Sequence, residues 1–137
     1  MYRSTAVIVL LVLAVLISPA LAAPVPPDVQ ASMDKGGFKV YPGAVFCIGN
    51  EQIGIRFATA DDPKKVQDWY TKQYTGWSIM ADFGVWILYD GPQGKGLGDI
   101  MATKNIAVQI NKELPGWHSL PKNMTTEIVL AFPLKSD

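Results

Sequence analysis

The chain has 137 residues, with 12 basic and 12 acidic side chains, one His and one Cys. So even a balance leaves no basic surplus to neutralise a run of phosphates, which argues against nucleic-acid binding. A single Cys excludes an internal disulfide, so the fold must be held by its core, to which four Trp and the Tyr residues other than Tyr2 can contribute large buried areas.

The first 22 residues read as a secretory signal peptide. Arg3 supplies the positive start, Ala6 to Ile17 is an unbroken apolar run, Pro19 breaks it, and Ala20-Leu21-Ala22 offers small residues where a signal peptidase reads them. The competing reading is an uncleaved anchor, but the run is short of the roughly 20 apolar residues that cross a bilayer. Cleavage near Ala22 is expected to release a periplasmic or secreted protein. The mature chain would lose Arg3 and no acidic residue, for a net charge of about −1. No Cys follows the apolar run, so no lipid is expected there. The remaining length suits one domain and not two.

Pro24 to Pro27 is a Pro-rich leader. Asp28 is a candidate cap for a short helix through Lys35, with Val29 and Met33 on one face and Gly36-Gly37 as its stop. Val45 to Ile48 predicts a strand and Gly49 to Gln52 a turn. Ile53, Ile55 and Phe57 then alternate at period 2, completing a hairpin. The strongest helix signal follows. Asp62 is an N-cap and Pro63 suits the first helical position, while Val66, Trp69, Tyr70 and Tyr74 share one face. Gly76 supplies the stop, and the spacing predicts a helix over 63–74. Trp77 to Ala81 and Val85 to Tyr89 read as a second hairpin turning near Asp82 to Gly84. Gly91 to Gly98 reads as a flexible loop. Ile106, Val108 and Ile110 alternate, Leu114 to Lys122 is irregular, and Thr126 to Phe132 alternates again.

Hairpin-length connections imply a mostly antiparallel sheet. The expectation is therefore an α+β fold: a sheet of five to six strands, one main helix packed on one face, and a short N-terminal helix. The domain organisation reads as a signal peptide at 1–22, a leader with a short helix at 23–37, and a single domain at 38–134.

Tyr41-Pro-Gly-Ala44, Thr59, Asp61-Asp62-Pro63, Val66, Trp69-Tyr70 and Gly76-Trp77 follow one another in an order that resembles small exported bacterial and archaeal domains. That pattern runs YPGA, a strand, a T-x-D-x-P helix start, V-x-x-W/F-Y and GW, and the resemblance spans roughly Tyr41 to Leu88. It implies an exported α+β module. It brings over no catalytic residue, because such domains mostly have no assigned function and every shared element also has a structural job.

The residues that could do chemistry are few. Cys47 lies between Phe46 and Ile48 in an apolar strand, where a small buried core residue is expected rather than a reactive thiol. His118 is the one possible base for it. With no second His and no metal-ligand spacing, no metal site and no cofactor are expected. Gly94-Lys95-Gly96 lacks the Walker spacing. The acidic residues sit at element ends, where capping explains them. Trp69, Tyr70 and Tyr74 should face the sheet. Trp86 is out of phase with Val85, Ile87 and Tyr89, so it faces away from them, either buried under the N-terminal helix or exposed.

The sequence therefore predicts a non-catalytic exported module that binds another exported or membrane-complex protein, or serves as an accessory subunit. The candidate partner contacts are Trp86, Lys95, Trp117 and His118, on the ground that loops and exposed aromatics carry contacts. The alternative is a small-ligand binder with a pocket walled by Trp and Tyr between sheet and helix. A third reading is an enzyme using Cys47 with His118.

Overall fold

The computed structural model describes residues 24–102, 106–116, 120 and 123–133. The signal segment, Trp117 and His118 lie outside the described residues. The elements run α1 (Pro27–Gly36), β1 (Val45–Asn50), β2 (Gly54–Thr59), α2 (Pro63–Gln73), β3 (Ser78–Asp82), β4 (Val85–Tyr89), α3 (Leu97–Ala102), β5 (Ala107–Asn111) and β6 (Thr126–Ala131). The six strands form one sheet in the order β1-β2-β6-β5-β4-β3, and every neighbouring pair is antiparallel. The class is α+β. The chain builds both edges first, crosses between them through α2, and fills the middle last, so the final strand lies between β2 and β5.

Helix boundaries follow from local chemistry. In α2 the Asp62 carboxylate accepts from the Lys64 N–H at 2.9 Å and Pro63 occupies the first turn. The helix ends at Gln73, one residue before the sequence expectation, and Tyr74 takes the cap position. In α1 the expected Asp28 cap is corrected. The N-cap position belongs to Pro26, which has no side chain to donate or accept, and Pro27 starts the helix. Asp28 sits inside the first turn, where its charge favours the helix dipole. Gly37, at φ 70°, closes the helix by donating to Asp34 O.

Three further expectations are corrected. A third helix, α3, which the sequence does not predict, starts at Leu97 in the last two residues of the expected Gly91–Gly98 loop, hidden by the glycines around it. Ile53 is not a buried strand residue. It sits in the β1–β2 turn and is 63% exposed, because the Asn50 carboxamide oxygen accepts from the N–H groups of both Gln52 and Ile53. Gly49 belongs to β1 rather than to the turn. A Cβ there would lie 1.9 Å from the Gly54 carbonyl oxygen, so no other residue fits.

The two faces of the sheet carry different cores. Ile55, Phe57, Leu88, Val108, Ile110, Ile128 and Leu130 form one cluster with Val29 and Met33 of α1 and Val66 and Tyr70 of α2. The other face holds a smaller cluster of Met80, Ile87, Tyr89 and Ala107 with Ile100 of α3. Among the described residues no helix is long and apolar enough to cross a membrane.

Candidate functional site

The β3–β4 hairpin turns in two residues, Phe83 and Gly84, between the paired Asp82 and Val85. Both central residues have positive φ, 54° at Phe83 and 75° at Gly84. That combination suits the right-handed strand twist, and it normally selects Asn, Asp or Gly at the first position. Here the position holds Phe, the one non-glycine residue with positive φ among the described residues. The residue is fully exposed, so no packing compensates the backbone cost.

Behind this tip lies Trp86. It pairs with Ala81 on β3 and Ile110 on β5, and it packs half-buried against the main core cluster, on the face of Leu88 rather than of Ile87. An open groove of about 540 Å³ runs past it, lined by the α2 cap residue Asp62, Lys64 and Gln67 of α2, Val85, and Lys112 beyond β5. The hairpin tip and this groove form a continuous surface of exposed aromatic, half-buried aromatic and charged side chains.

The other expected contacts do not join this surface. Lys95 is exposed, but it follows the far end of β4 and does not line the Trp86 groove. Trp117 and His118 lie outside the described residues. The loop that carries Lys95 is pinned rather than free. Ser78 Oγ donates to Gly91 O at 2.5 Å, Tyr89 OH donates to Pro92 O at 2.9 Å, and Gln93 Nε2 donates to Ile79 O at 2.8 Å.

On the second face, a polar strip crosses β2, β6 and β5. Arg56 Nη1 donates to Glu127 Oε1 at 3.0 Å, and Asn111 Nδ2 donates to the same oxygen at 2.7 Å. Gln109 Nε2 extends the chain to Asn111 Oδ1 at 2.8 Å. The Glu127 side chain is 1% exposed and that of Arg56 29%, so the carboxylate is buried while the guanidinium reaches water. Beside the strip is a groove of about 220 Å³ with Ile87, Ile100, Val129 and Phe132 in its walls.

Cys47 is not the buried core residue the sequence suggested. The register slips between Phe46 and Ile48, which makes Cys47 the extra residue of a β-bulge on an edge strand, and it is half-buried. Burial pushes its thiol up to about 11; the Glu127 charge adds to the rise and Arg56 opposes it. At neutral pH it is a protonated thiol that donates weakly to Val45 O, the opposite of an activated nucleophile.

The Trp and Tyr rings proposed as pocket walls pack on one another. Trp69 meets Tyr41 at 5.4 Å and Tyr70 at 4.8 Å, both edge-on, and Tyr74 stacks on Trp77 at 4.2 Å. Their hydroxyls are engaged as well. Tyr70 OH donates to Lys39 O at 3.0 Å, and Tyr74 OH accepts from Lys39 N–H at 2.8 Å. Tyr41 OH donates to the Asp61 carboxylate at 2.6 Å. No group of three or more potential metal ligands occurs among the described residues.

Sequence reasoning did not single out Phe83 or the Arg56–Glu127 pair. The signal for Phe83 was present, since an aromatic before Gly in a two-residue hairpin turn contradicts the residue preference of that turn. The pair offered weaker signals: one charge on the outward phase of each strand. Comparison with known proteins returns nothing: no family model, no curated protein and no solved structure matches this chain.

Proposed function

We propose that this protein is an exported, non-catalytic interaction module whose contact surface is the β3–β4 hairpin tip with the Trp86 groove behind it. The observation that carries the reading is Phe83, a large apolar side chain placed wholly in water on a strained backbone. A residue that costs stability and returns none in the isolated fold is retained for contact, and fully exposed aromatics are favoured anchors at protein interfaces. Trp86, Lys64 and Lys112 supply the half-buried and charged surroundings of such an anchor. Export rests on the signal-like residues 1–22, with the mature protein periplasmic or secreted. Helices α1 and α2 serve as the cover of one sheet face and leave the hairpin tip clear of them. The neutral Cys47 thiol supports the non-catalytic reading over a thiol enzyme.

The test uses the wild type and Phe83→Asn as baits in envelope and culture-fluid extracts of the native host. The expected result is a protein retained by the wild type and lost from the variant. Identical captures by both, or no capture by either, would remove the hairpin tip from the proposal.

A further inference from the structure

The sheet has two edges, and they are built differently. β1 carries the bulge at Cys47 and a glycine at φ 118°, both of which spoil pairing with a further strand. β3 is regular. Its five residues pair one for one with β4, and it holds no Pro, no Gly and a single charge, at Asp82. The two-residue turn makes Asp82 and Val85 the hydrogen-bonded pair beside it. The N–H and C=O of Ala81 and Ile79 are not in such pairs and point away from β4.

A side chain already occupies part of this edge. Gln93 donates to Ile79 O at 2.8 Å and accepts from Ile79 N–H at 3.4 Å. A carboxamide that both donates to and accepts from one residue reproduces what an antiparallel strand offers at that place. One step along, Ala81 is exposed and its small side chain leaves room for a neighbour.

We propose that the protein self-associates through the β3 edge, two copies pairing antiparallel about a twofold axis at Met80, with the Gln93 carboxamide as a plug that limits this pairing. The edge is self-complementary in that register, which is the requirement of a twofold contact. Ile79 falls opposite Ala81 of the second copy, and each such pair exchanges two backbone hydrogen bonds. Asp82 falls opposite Ser78 of the second copy, so no like charges meet. Phe83 falls opposite Trp77 of the second copy, which gives the exposed ring an aromatic partner. The even charge of the chain sets up no long-range repulsion. The second copy can take Ile79 only by displacing Gln93. The inference rests on the proposed function only in treating Phe83 as a contact residue.

The test is sedimentation over a wide concentration range, with the chain purified as the cell produces it from the full coding sequence. Removing the plug in Gln93→Ala should tighten dimerisation roughly tenfold relative to the wild type. Adding Ala81→Pro removes an outward N–H and no bond to β4, and should return the monomer. Ala81→Lys, on the same background, does so without touching the backbone, and urea unfolding verifies that each variant folds. A Gln93→Ala protein no more dimeric than the wild type overturns the proposal, as does one whose dimer survives both Ala81 changes. Both variants leave Phe83 and Trp86 in place, so loss of host-protein capture in Phe83→Asn and loss of dimer here report on separate readings.

Discussion

Replacing Phe83 by Asn should make the protein more stable. The perturbation acts on one dihedral angle. A non-glycine residue in the left-handed region costs roughly 1–2 kcal/mol, and Asn escapes much of that cost through its short polar side chain. Phe83, at φ 54°, carries the penalty, and its full exposure means that deleting the ring forfeits no burial. The expected gain is about 1 kcal/mol, equivalent to several degrees in Tm for a domain near 100 residues. Urea unfolding followed by tryptophan fluorescence measures it, with the midpoint rising and the slope unchanged. Gly84→Ala is the matched control. At φ 75° its new methyl would meet nothing within 4 Å, so any loss, expected at about 1 kcal/mol, is a backbone effect alone. A Phe83→Asn protein no more stable than the wild type would show that the ring has folded-state partners, and the argument for a contact anchor would fail with it.

Met33 is fully buried in α1, so Met33→Ala should cost about 2–5 kcal/mol in chemical unfolding, which tests whether α1 belongs to the cooperative fold. Glu127→Gln keeps an acceptor for Asn111 and removes the charge that Arg56 faces; a loss of about 2 kcal/mol is expected from the unfolding midpoint. The Tyr41 hydroxyl holds the Asp61 carboxyl below its ordinary 3.8, with Lys65 helping, so the stability it contributes is present above that value and is lost as pH falls through the lowered one. Tyr41→Phe should move the Asp61 titration upward when it is followed by NMR. Cys47 should label slowly with a thiol reagent at pH 7 in the folded protein, and the rate should climb toward pH 11; fast labelling at neutral pH would contradict the burial that raises its pKa.

Which parts of the fold the sequence disclosed depends on how local their cause is. Asp62-Pro63 and the spacing of Val66 and Tyr70 act within one helix, and the α2 start follows from them alone. The β3–β4 hairpin is equally local. Strand order is not, because β6 enters between β2 and β5 for reasons of packing that no neighbouring residue announces. The third helix is not legible because Gly94, Gly96 and Gly98 dominate its surroundings, whereas Ile100 is held by contact with the second-face cluster. The apolar neighbours of Cys47 point to the core, yet it sits on the outermost strand at a bulge, and neither fact is written in its own segment. The phase of Trp86 within its own strand allows burial under the N-terminal helix or exposure, and the structure realises neither. Trp86 is half-buried beside the start of α2, a contact set by the crossover connection.

The alternation read in Thr126, Ile128, Leu130 and Phe132 describes one face of β6 and implies that the other face is solvated. In the structure Glu127 and Val129 are buried as well, so this central strand is covered on both sides. Burying a carboxylate there is costly unless donors meet it, and Arg56 and Asn111 meet it from the flanking strands within 3.0 Å. The consequence reaches the neighbouring groove. Because the Arg56 charge is already answered by Glu127, and Glu51 also lines the groove, the groove is a poor attractor for a free anion. On the first face the Trp86 groove carries Lys112 together with Lys64, whose charge is answered by Asp68 one helical turn on.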